Sequence, residues 1–136
     1  MSYGVAPALQ AAVYQRLSAD PALNGLVGTA IYDTMPPGAV PNIYVTLGPE
    51  VVRDASDKTG HGATHEFTIS VITGEAGFQT AKEAGQAISD ALIEAPLTLA
   101  RGALVSLNFM RARAQRFGRG DRRRLDLTFR ARVDDG

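Results

Sequence analysis

The first segment of the chain repeats apolar side chains at every fourth position. These positions are Val5, Leu9, Val13 and Leu17, with Ala8 and Ala12 on the same stripe. Such spacing is typical of an amphipathic helix, which we predict over about residues 5–18. Pro7 falls in the first turn of that helix, where its missing N–H leaves no hydrogen bond unmade.

A polar break after this stripe has the features of a helix start. Ser18 or Asp20 is suited to cap a helix, and Pro21 is suited to open one. The apolar residues that follow are Leu23, Leu26 and Val27. We predict a short second helix that ends at Gly28.

The pattern then changes to alternation with a period of two, which is typical of strands. Ile31 and Tyr32 are predicted to form a short strand that stops at the turn Pro36-Pro37-Gly38. The segment from Asn42 to Gly48 alternates cleanly, and so does the segment from Glu66 to Thr73. Both are predicted to be half-buried strands.

The stretch from Pro49 to Ala63 lies between those two strands and is polar. It holds no large apolar side chain after Val52, so it has little to bury against the ordering entropy of its backbone. We predict a long, mobile loop here, and loops of this length often make functional contacts. Its candidate contact residues are Arg53, Asp54, Asp57, Lys58 and His61.

The second half of the chain begins with another helical stripe, over about residues 78–95, which Pro96 closes. Two strands follow. In the first, the apolar positions change faces after Phe109, which predicts a β-bulge. The last strand has the clearest alternation in the chain. Its apolar positions are Leu125, Leu127, Phe129, Ala131 and Val133, and its polar positions are Arg124, Asp126, Thr128, Arg130 and Arg132.

These elements occur in the order helix, short helix, three strands, helix, two strands. Consecutive strands joined by short turns favour antiparallel pairing. We therefore predict one α+β domain over residues 1–136, with a mainly antiparallel sheet and the two long helices packed on one face. The last two strands would form an arginine-rich closing hairpin over about residues 103–133.

Charge is divided unevenly along the chain, although the net charge is zero. Residues 1–100 contain four basic and ten acidic residues, a net charge of −6. Residues 101–136 contain ten arginines and four aspartates, a net charge of +6. Because surfaces of opposite charge attract one another, this division favours contacts between copies of the chain.

The sequence contains no motif for catalysis, a metal site or a cofactor. It has no cysteine, and no serine lies in a Gly-x-Ser-x-Gly setting. His61 and His65 are the only histidines, and the glycines beside them argue against the helix on which such a pair binds metal. We predict that both are solvated loop residues.

Targeting signals are also absent from the sequence. No apolar run reaches the ~18 residues that span a membrane, and the first residues lack the features of a signal peptide. We expect a protein that stays in the cytoplasm, where it is made, and that has no membrane partner.

Arginines are concentrated on the two closing strands. Those that we take as candidate interface residues are Arg111, Arg113, Arg124, Arg130 and Arg132. Like charges opposed across strands repel one another, so such a surface favours acidic neighbours or an external anion. Three interpretations stay open: a solvated face, an acidic patch on a neighbouring subunit, and nucleic-acid phosphates. The third makes a small nucleic-acid-binding protein the alternative function, although no aromatic side chains alternate with the arginines to stack on bases.

Several segments, taken in order, resemble a known family. They are the leading helix, Leu17-Ser18-Ala19-Asp20-Pro21-Ala22-Leu23, Ile31-Tyr32-Asp33, the strand from Pro41 to Gly48, Asp54, His65, and Phe129-Arg130-Ala131 in the closing strand. In this order they resemble the small tail-terminator (tail-completion) proteins of long-tailed phages and gene transfer agents. The resemblance runs from about Val5 to Val133.

The resemblance implies a structural protein without enzymatic activity or cofactor. Members form a homo-oligomeric ring, a hexamer, that binds the end of the tail tube and stops its polymerisation. The other side of the ring joins the head connector, and DNA passes through the bore without sequence readout. The predicted loop would contact the tube or a neighbouring subunit, and the protein would become part of the tail of a phage or a gene transfer agent.

Overall fold

A computed structural model of the chain describes residues 2–35, 37–56, 60–74, 77–94, 96–116, 118 and 122–136. Its helices and strands follow the order that the sequence predicts. They are α1 (Ala6–Ser18), α2 (Pro21–Val27), β1 (Ile31–Tyr32), β2 (Ile43–Asp54), β3 (Gly62–Thr73), α3 (Gln79–Ile93), β4 (Ala103–Arg116) and β5 (Arg123–Asp134). None of the described helices is long and apolar enough to cross a membrane.

The strands form one sheet in the order β1-β2-β3-β5-β4. The short β1 runs parallel to β2, and the other neighbouring pairs are antiparallel. β3 and β5 pair without a register shift, with Phe67 opposite Phe129 and Val71 opposite Leu125. The predicted α+β class with a mainly antiparallel sheet is confirmed.

The helices cover one face of the sheet, and the core lies between the helices and that face. Apolar side chains at alternate positions of β3 and β5 share one cluster with buried residues of all three helices. Phe129 is fully buried in this cluster, and its ring centroid lies 5.8 Å from that of Phe67. Removal of this apolar surface from water is the main source of stability in such a layered fold.

Small residues allow α3 to lie close to β5. The buried small residues of the helix are Ala81, Ala84, Gly85, Ala87 and Ala91. A Cβ atom added at Gly85 would lie 2.7 Å from the Cδ2 atom of Leu125, so that leucine would have to move to admit a larger residue. The helix is one residue shorter at its start and two residues shorter at its end than the sequence predicts.

The short helix α2 begins at the predicted cap. The Asp20 carboxylate accepts a hydrogen bond from the Leu23 N–H at 2.9 Å, and Pro21 is the first helical residue. Gly28 ends the helix with a φ of 60°, a backbone conformation that glycine adopts without strain. Of the two predicted caps, the chain uses Asp20 and not Ser18.

The prediction of a long loop from Pro49 to Ala63 is wrong. β2 continues to Asp54, and β3 already begins at Gly62. Most of the segment is therefore strand, and the connection between β2 and β3 spans only residues 55–61. Of these, residues 57–59 lie outside the described part of the chain.

The physical reason for this error is a register shift in β2. The shift lies between Leu47 and Glu50 and takes up Gly48 and Pro49, which the sequence suggests as a strand end. β1 covers β2 only at Val45 and Thr46, so Pro49 lies on an edge of the sheet. A proline at an edge removes no hydrogen bond that another strand requires.

β4 pairs antiparallel with β5 and forms one edge of the sheet. The predicted bulge near Phe109 is present, since the register shifts between Phe109 and Arg111. β4 is exposed along most of its length. Val105 and Phe109, which the sequence places on one apolar face, are 58% and 45% exposed.

Candidate functional site

The sheet face that points away from the helices carries all five predicted interface arginines, and we call it the arginine face. By strand register, its arginines are Arg53 on β2, Arg111 and Arg113 on β4, and Arg124, Arg130 and Arg132 on β5. Its acidic residues are Glu66, Asp126 and Asp134. The described part of this face therefore has an excess of positive charge.

A groove of about 430 Å³ on the arginine face combines the two predicted contact regions. Arg53 and Asp54, which the sequence places in a loop, line it together with Arg130 and Arg132 of the closing strand. The four residues meet because β2, β3 and β5 are consecutive in the sheet. The tertiary structure thus brings residues from two separately predicted contact regions onto one surface.

Three arginines of this face are engaged within the chain, and one of them, Arg132, donates from Nη2 to the Ala55 carbonyl oxygen at 3.3 Å. The Arg124 Nε–H donates to Asp126 Oδ1 at 2.7 Å, and the Ser70 hydroxyl donates to the same oxygen at 2.5 Å. Arg130 Nη2 donates to Glu66 Oε1 at 3.1 Å. An exposed ion pair such as the second contributes only about 0–1 kcal/mol to stability. Since the Arg130 side chain stays 47% exposed, it remains open to an external partner.

Arg111 and Arg113 are exposed and form no hydrogen bond or ion pair with other described residues. Their cross-strand neighbours on β5 are Thr128 and Asp126. These two guanidinium groups are therefore the most available cations of the face. An acidic partner would gain more binding energy from Arg111 and Arg113 than from Arg124, because Arg124 already forms an ion pair with Asp126.

Arg111 and Arg113 do not lie directly opposite Arg130 and Arg132 across the closing hairpin. The latter two face Asn108 and Ser106 on β4, whereas Arg111 and Arg113 face Thr128 and Asp126 on β5. The arginines are consequently spread along the hairpin, which reduces repulsion between like charges.

The two histidines have different environments. His61 is exposed in the connection between β2 and β3, as predicted, whereas His65 is fully buried within β3, so the prediction of a solvated side chain is wrong there. The His65 Nδ1 atom lies 3.2 Å from Glu50 Oε2, and its ring stacks on Tyr3 with centroids 6.4 Å apart. Its buried Nε2 atom has no partner among the described residues.

Asp54, the predicted loop residue at the end of β2, is held by the connection that follows it. The Ser56 hydroxyl and the Ser56 N–H donate to Asp54 Oδ1 at 2.6 and 3.1 Å. These hydrogen bonds hold the pKa of the Asp54 carboxyl below its usual value, so it is ionised at neutral pH. Two further predicted contact residues, Asp57 and Lys58, lie outside the described residues.

A second surface was not predicted from the sequence. A groove of about 520 Å³ lies between α1 and β2, and its lining includes Tyr3, Pro7, Tyr14, Leu47 and Glu50. Tyr3 and Tyr14 are 59% and 40% exposed. The only sequence signal for this surface is an aromatic residue on the otherwise polar side of α1. Across the described residues, no group of three or more His, Asp or Glu side chains is arranged to hold a metal ion.

Comparison with known proteins identifies relatives of the chain. A family model described as tail completion protein gp17 matches residues 11–134. Among solved structures, a chain described as "Virion of native gene transfer agent (GTA) particle" is similar, with a TM-score of 0.93 and 63% sequence identity. That match covers 98% of this chain and 99% of the other. A search of curated proteins finds no match.

Proposed function

We propose, because the chain belongs to the tail completion protein gp17 family, that it forms a ring which caps the end of a tail tube. The ring terminates polymerisation of the tube and joins it to the head connector. Within it the chain is a structural subunit that catalyses no reaction. It assembles in the cytoplasm and then remains in the tail of a particle of the phage or gene transfer agent type.

The observation that supports this proposal most strongly is the similarity to a chain of a native gene transfer agent virion. The two chains are 63% identical over almost their full lengths. At this level of identity the two chains share the fold and more than half of their residues. A role in the tail of a similar particle follows most directly from that similarity.

The distribution of charge also suits a ring. A closed ring requires a heterologous interface, in which two different surfaces of each subunit meet. The arginine face supplies a basic surface. Exposed acidic residues lie elsewhere, and two of them, Asp33 and Glu50, line the groove between α1 and β2. We propose a hexamer in which these surfaces of opposite charge contribute to subunit contacts.

DNA passes through the bore of this ring without sequence readout. On the arginine face, the residues between the arginines are mainly Thr, Ser and Asn, including Thr64, Thr128, Ser106 and Asn108. These side chains provide no platform on which bases can stack. The face is thus better suited to carboxylates of a protein partner than to single-stranded nucleic acid.

Assembly of tail tubes with and without the chain tests the proposal. We expect that tail tube protein polymerised with an excess of the chain forms tubes of limited length with closed ends, as measured by electron microscopy. The purified chain should show the mass of six subunits. Tubes that grow equally long with and without the chain would contradict the termination role.

A pair of double variants tests the arginine face. Arg130→Glu with Arg132→Glu should abolish the ring while circular dichroism shows a folded monomer, because reversed charges repel an acidic neighbour. Arg130→Lys with Arg132→Lys keeps the charge and is the control. An intact ring from the reversed variant would exclude this face from the subunit interface. Loss of binding to random duplex DNA, with the ring intact, would favour the nucleic-acid-binding alternative.

A further inference from the structure

Two edges of the sheet have no strand beside them in the described part of the chain. On β4 (Ala103–Arg116), no backbone hydrogen bond is made on the side away from β5. On β2, the strand β1 pairs only with Val45 and Thr46, so no described strand lies beside the segment from Leu47 to Asp54 on that side. Unpaired N–H and C=O groups along such edges are suited to pairing with another chain.

The β4 edge also exposes apolar side chains. Phe109 and Met110 are 45% and 40% exposed, and both lie at the bulge in the middle of the strand. Phe109 is on the helix-facing side of the sheet, where its ring meets Phe129 edge-on with centroids 5.8 Å apart. Large apolar residues on a long edge strand are uncommon unless a partner covers them.

The β2 edge lies beside a groove that suits these side chains. The groove of about 520 Å³ between α1 and β2 includes Leu47 and Glu50 of the free segment together with Tyr3, Pro7 and Tyr14. Leu47 is on the helix-facing side of the sheet, opposite Ile69, and Glu50 is opposite Phe67. An added strand that continued the sheet would turn its own helix-facing side chains toward this groove.

We propose that β4 of one copy pairs with the free segment Leu47–Asp54 of β2 in the next copy. Phe109 and Met110 of the first copy then cover the groove between α1 and β2 of the second. The contact is head-to-tail, so repetition of it produces a ring with one continuous sheet. This inference rests on the proposed ring and specifies the surfaces that close it.

Charge favours this pairing over the symmetric pairing of two β4 edges. β4 carries Arg111, Arg113 and Arg116 and no acidic residue. Two β4 edges together would bring six arginines into one seam, with like charges close to one another. The free segment of β2 instead carries Glu50 and Asp54 with Arg53, and Asp33 lines the adjoining groove. Opposite charges therefore meet only in the head-to-tail arrangement.

Thiol cross-linking tests the pairing cleanly, because the full chain contains no cysteine. Two single variants place thiols on the arginine face, Asn108→Cys on β4 and Val51→Cys on β2. A third variant, Gln86→Cys on α3, is the matched control. Each full-length variant, alone and in pairwise mixtures, is treated with a short bis-maleimide after its oligomeric mass has been measured.

The expected result is a cross-linked dimer from the mixture of Asn108→Cys and Val51→Cys, and none from mixtures with Gln86→Cys. A dimer from Asn108→Cys alone would show symmetric β4 pairing and overturn the inference. Oligomers of ring mass without the expected cross-link would overturn the inference and leave the proposed ring intact. A chain that stays monomeric at millimolar concentration would overturn both.

A second measurement does not depend on cysteine positions. Met110→Lys should raise the dissociation constant of the oligomer at least about tenfold, because it replaces apolar contact with an unpaired charge. Ile93→Lys, at a 45% exposed position on α3, is the control and should leave the constant unchanged. Equal effects of the two variants would overturn the proposed role of the β4 edge. Circular dichroism of both variants shows whether each monomer remains folded.

Discussion

Thr128 and Phe129 are adjacent in β5 but lie on opposite faces of the sheet. Phe129→Ala should lower the free energy of unfolding by about 3–5 kcal/mol, the usual cost of removing a buried aromatic side chain. Thr128→Ala removes only a hydroxyl that lies 3.3 Å from that of Thr68, and should cost less than about 1.5 kcal/mol. Urea denaturation of both variants measures the difference. A larger loss from Thr128→Ala would contradict the observed register.

His65 is a buried polar residue that is only partly satisfied. His65→Leu should leave the free energy of unfolding within about 1.5 kcal/mol of its original value or raise it, because it removes a buried Nε2 atom that no other described residue hydrogen-bonds. Glu50 loses its contact with His65, but its side chain is 26% exposed and is hydrated instead.

His65→Ala is the comparison for this position, and it should be less stable than His65→Leu because it leaves a cavity. Thermal unfolding of both variants provides the measurement. If His65→Leu were as unstable as His65→Ala, the contact between His65 and Glu50 would be necessary for the fold.

At the scale of elements, the cap of α2 is a local feature that the sequence predicts to be Ser18 or Asp20, and the structure shows Asp20. Asp20→Ala should lower the free energy of unfolding by about 1 kcal/mol, because it leaves the N–H of Leu23 without an acceptor. Asp20→Asn keeps an oxygen acceptor and should change it by only a few tenths of a kcal/mol. Chemical denaturation distinguishes the two, and equal losses would show that the carboxylate charge is what matters.

The two ends of the chain are joined through Asp135. Its Oδ2 atom accepts hydrogen bonds from the Arg101 guanidinium at 2.8 Å and from the Ser2 hydroxyl at 2.5 Å. The bond from Arg101, followed by that from Ser2, holds the pKa of the Asp135 carboxyl below its usual value. A carboxyl whose pKa is lowered in the folded state contributes stability above its unfolded pKa and loses it as the pH falls through the folded pKa.

Acidification should therefore weaken the junction of the two ends. The effect should begin below about pH 4, which is close to the ordinary pKa of an aspartate side chain. Asp135→Asn should remove this part of the dependence of stability on pH. Unfolding curves measured between neutral and strongly acidic pH provide the test, with Arg101→Gln as a second variant that removes the main cause of the shift. A pH profile that neither variant changes would exclude this junction as a source of acid sensitivity.

At the scale of the whole molecule, the proposed oligomer combines an apolar seam with contacts between opposite charges. Increasing salt should raise its dissociation constant, because charges on exposed surfaces are screened within about 10 Å at 0.1 M salt. Sedimentation velocity at increasing salt concentration measures this dependence. The control variant Arg130→Lys with Arg132→Lys should keep this dependence on salt, and Met110→Lys should keep it at a weaker affinity. A salt-independent constant for the original chain would show that the arginines face solvent.

Element types and order were predictable because they depend on local periodicity. The stripe from Val5 to Leu17 and the alternation from Leu125 to Val133 each specify which side is buried without knowledge of the neighbours. The end of β2 was not predictable in this way. Pro49 reads as a strand end in the sequence, and only its place on an uncovered edge allows the strand to continue. The burial of His65 was missed as well, because that residue was predicted to be solvated and not to lie within a strand.

The sequence by itself determined the buried faces of α1 and β5, the α+β class, the division of charge and the resemblance to the tail-completion family, which the family match confirms. Each of these depends on the kind and spacing of residues along the chain. Only the tertiary structure decided that Arg53 and Arg132 share a groove, that β4 and part of β2 are free edges, and that Phe109 is left exposed. The physical reason is that strand order and register join residues far apart in the chain, and no local pattern of side chains encodes which strands become neighbours.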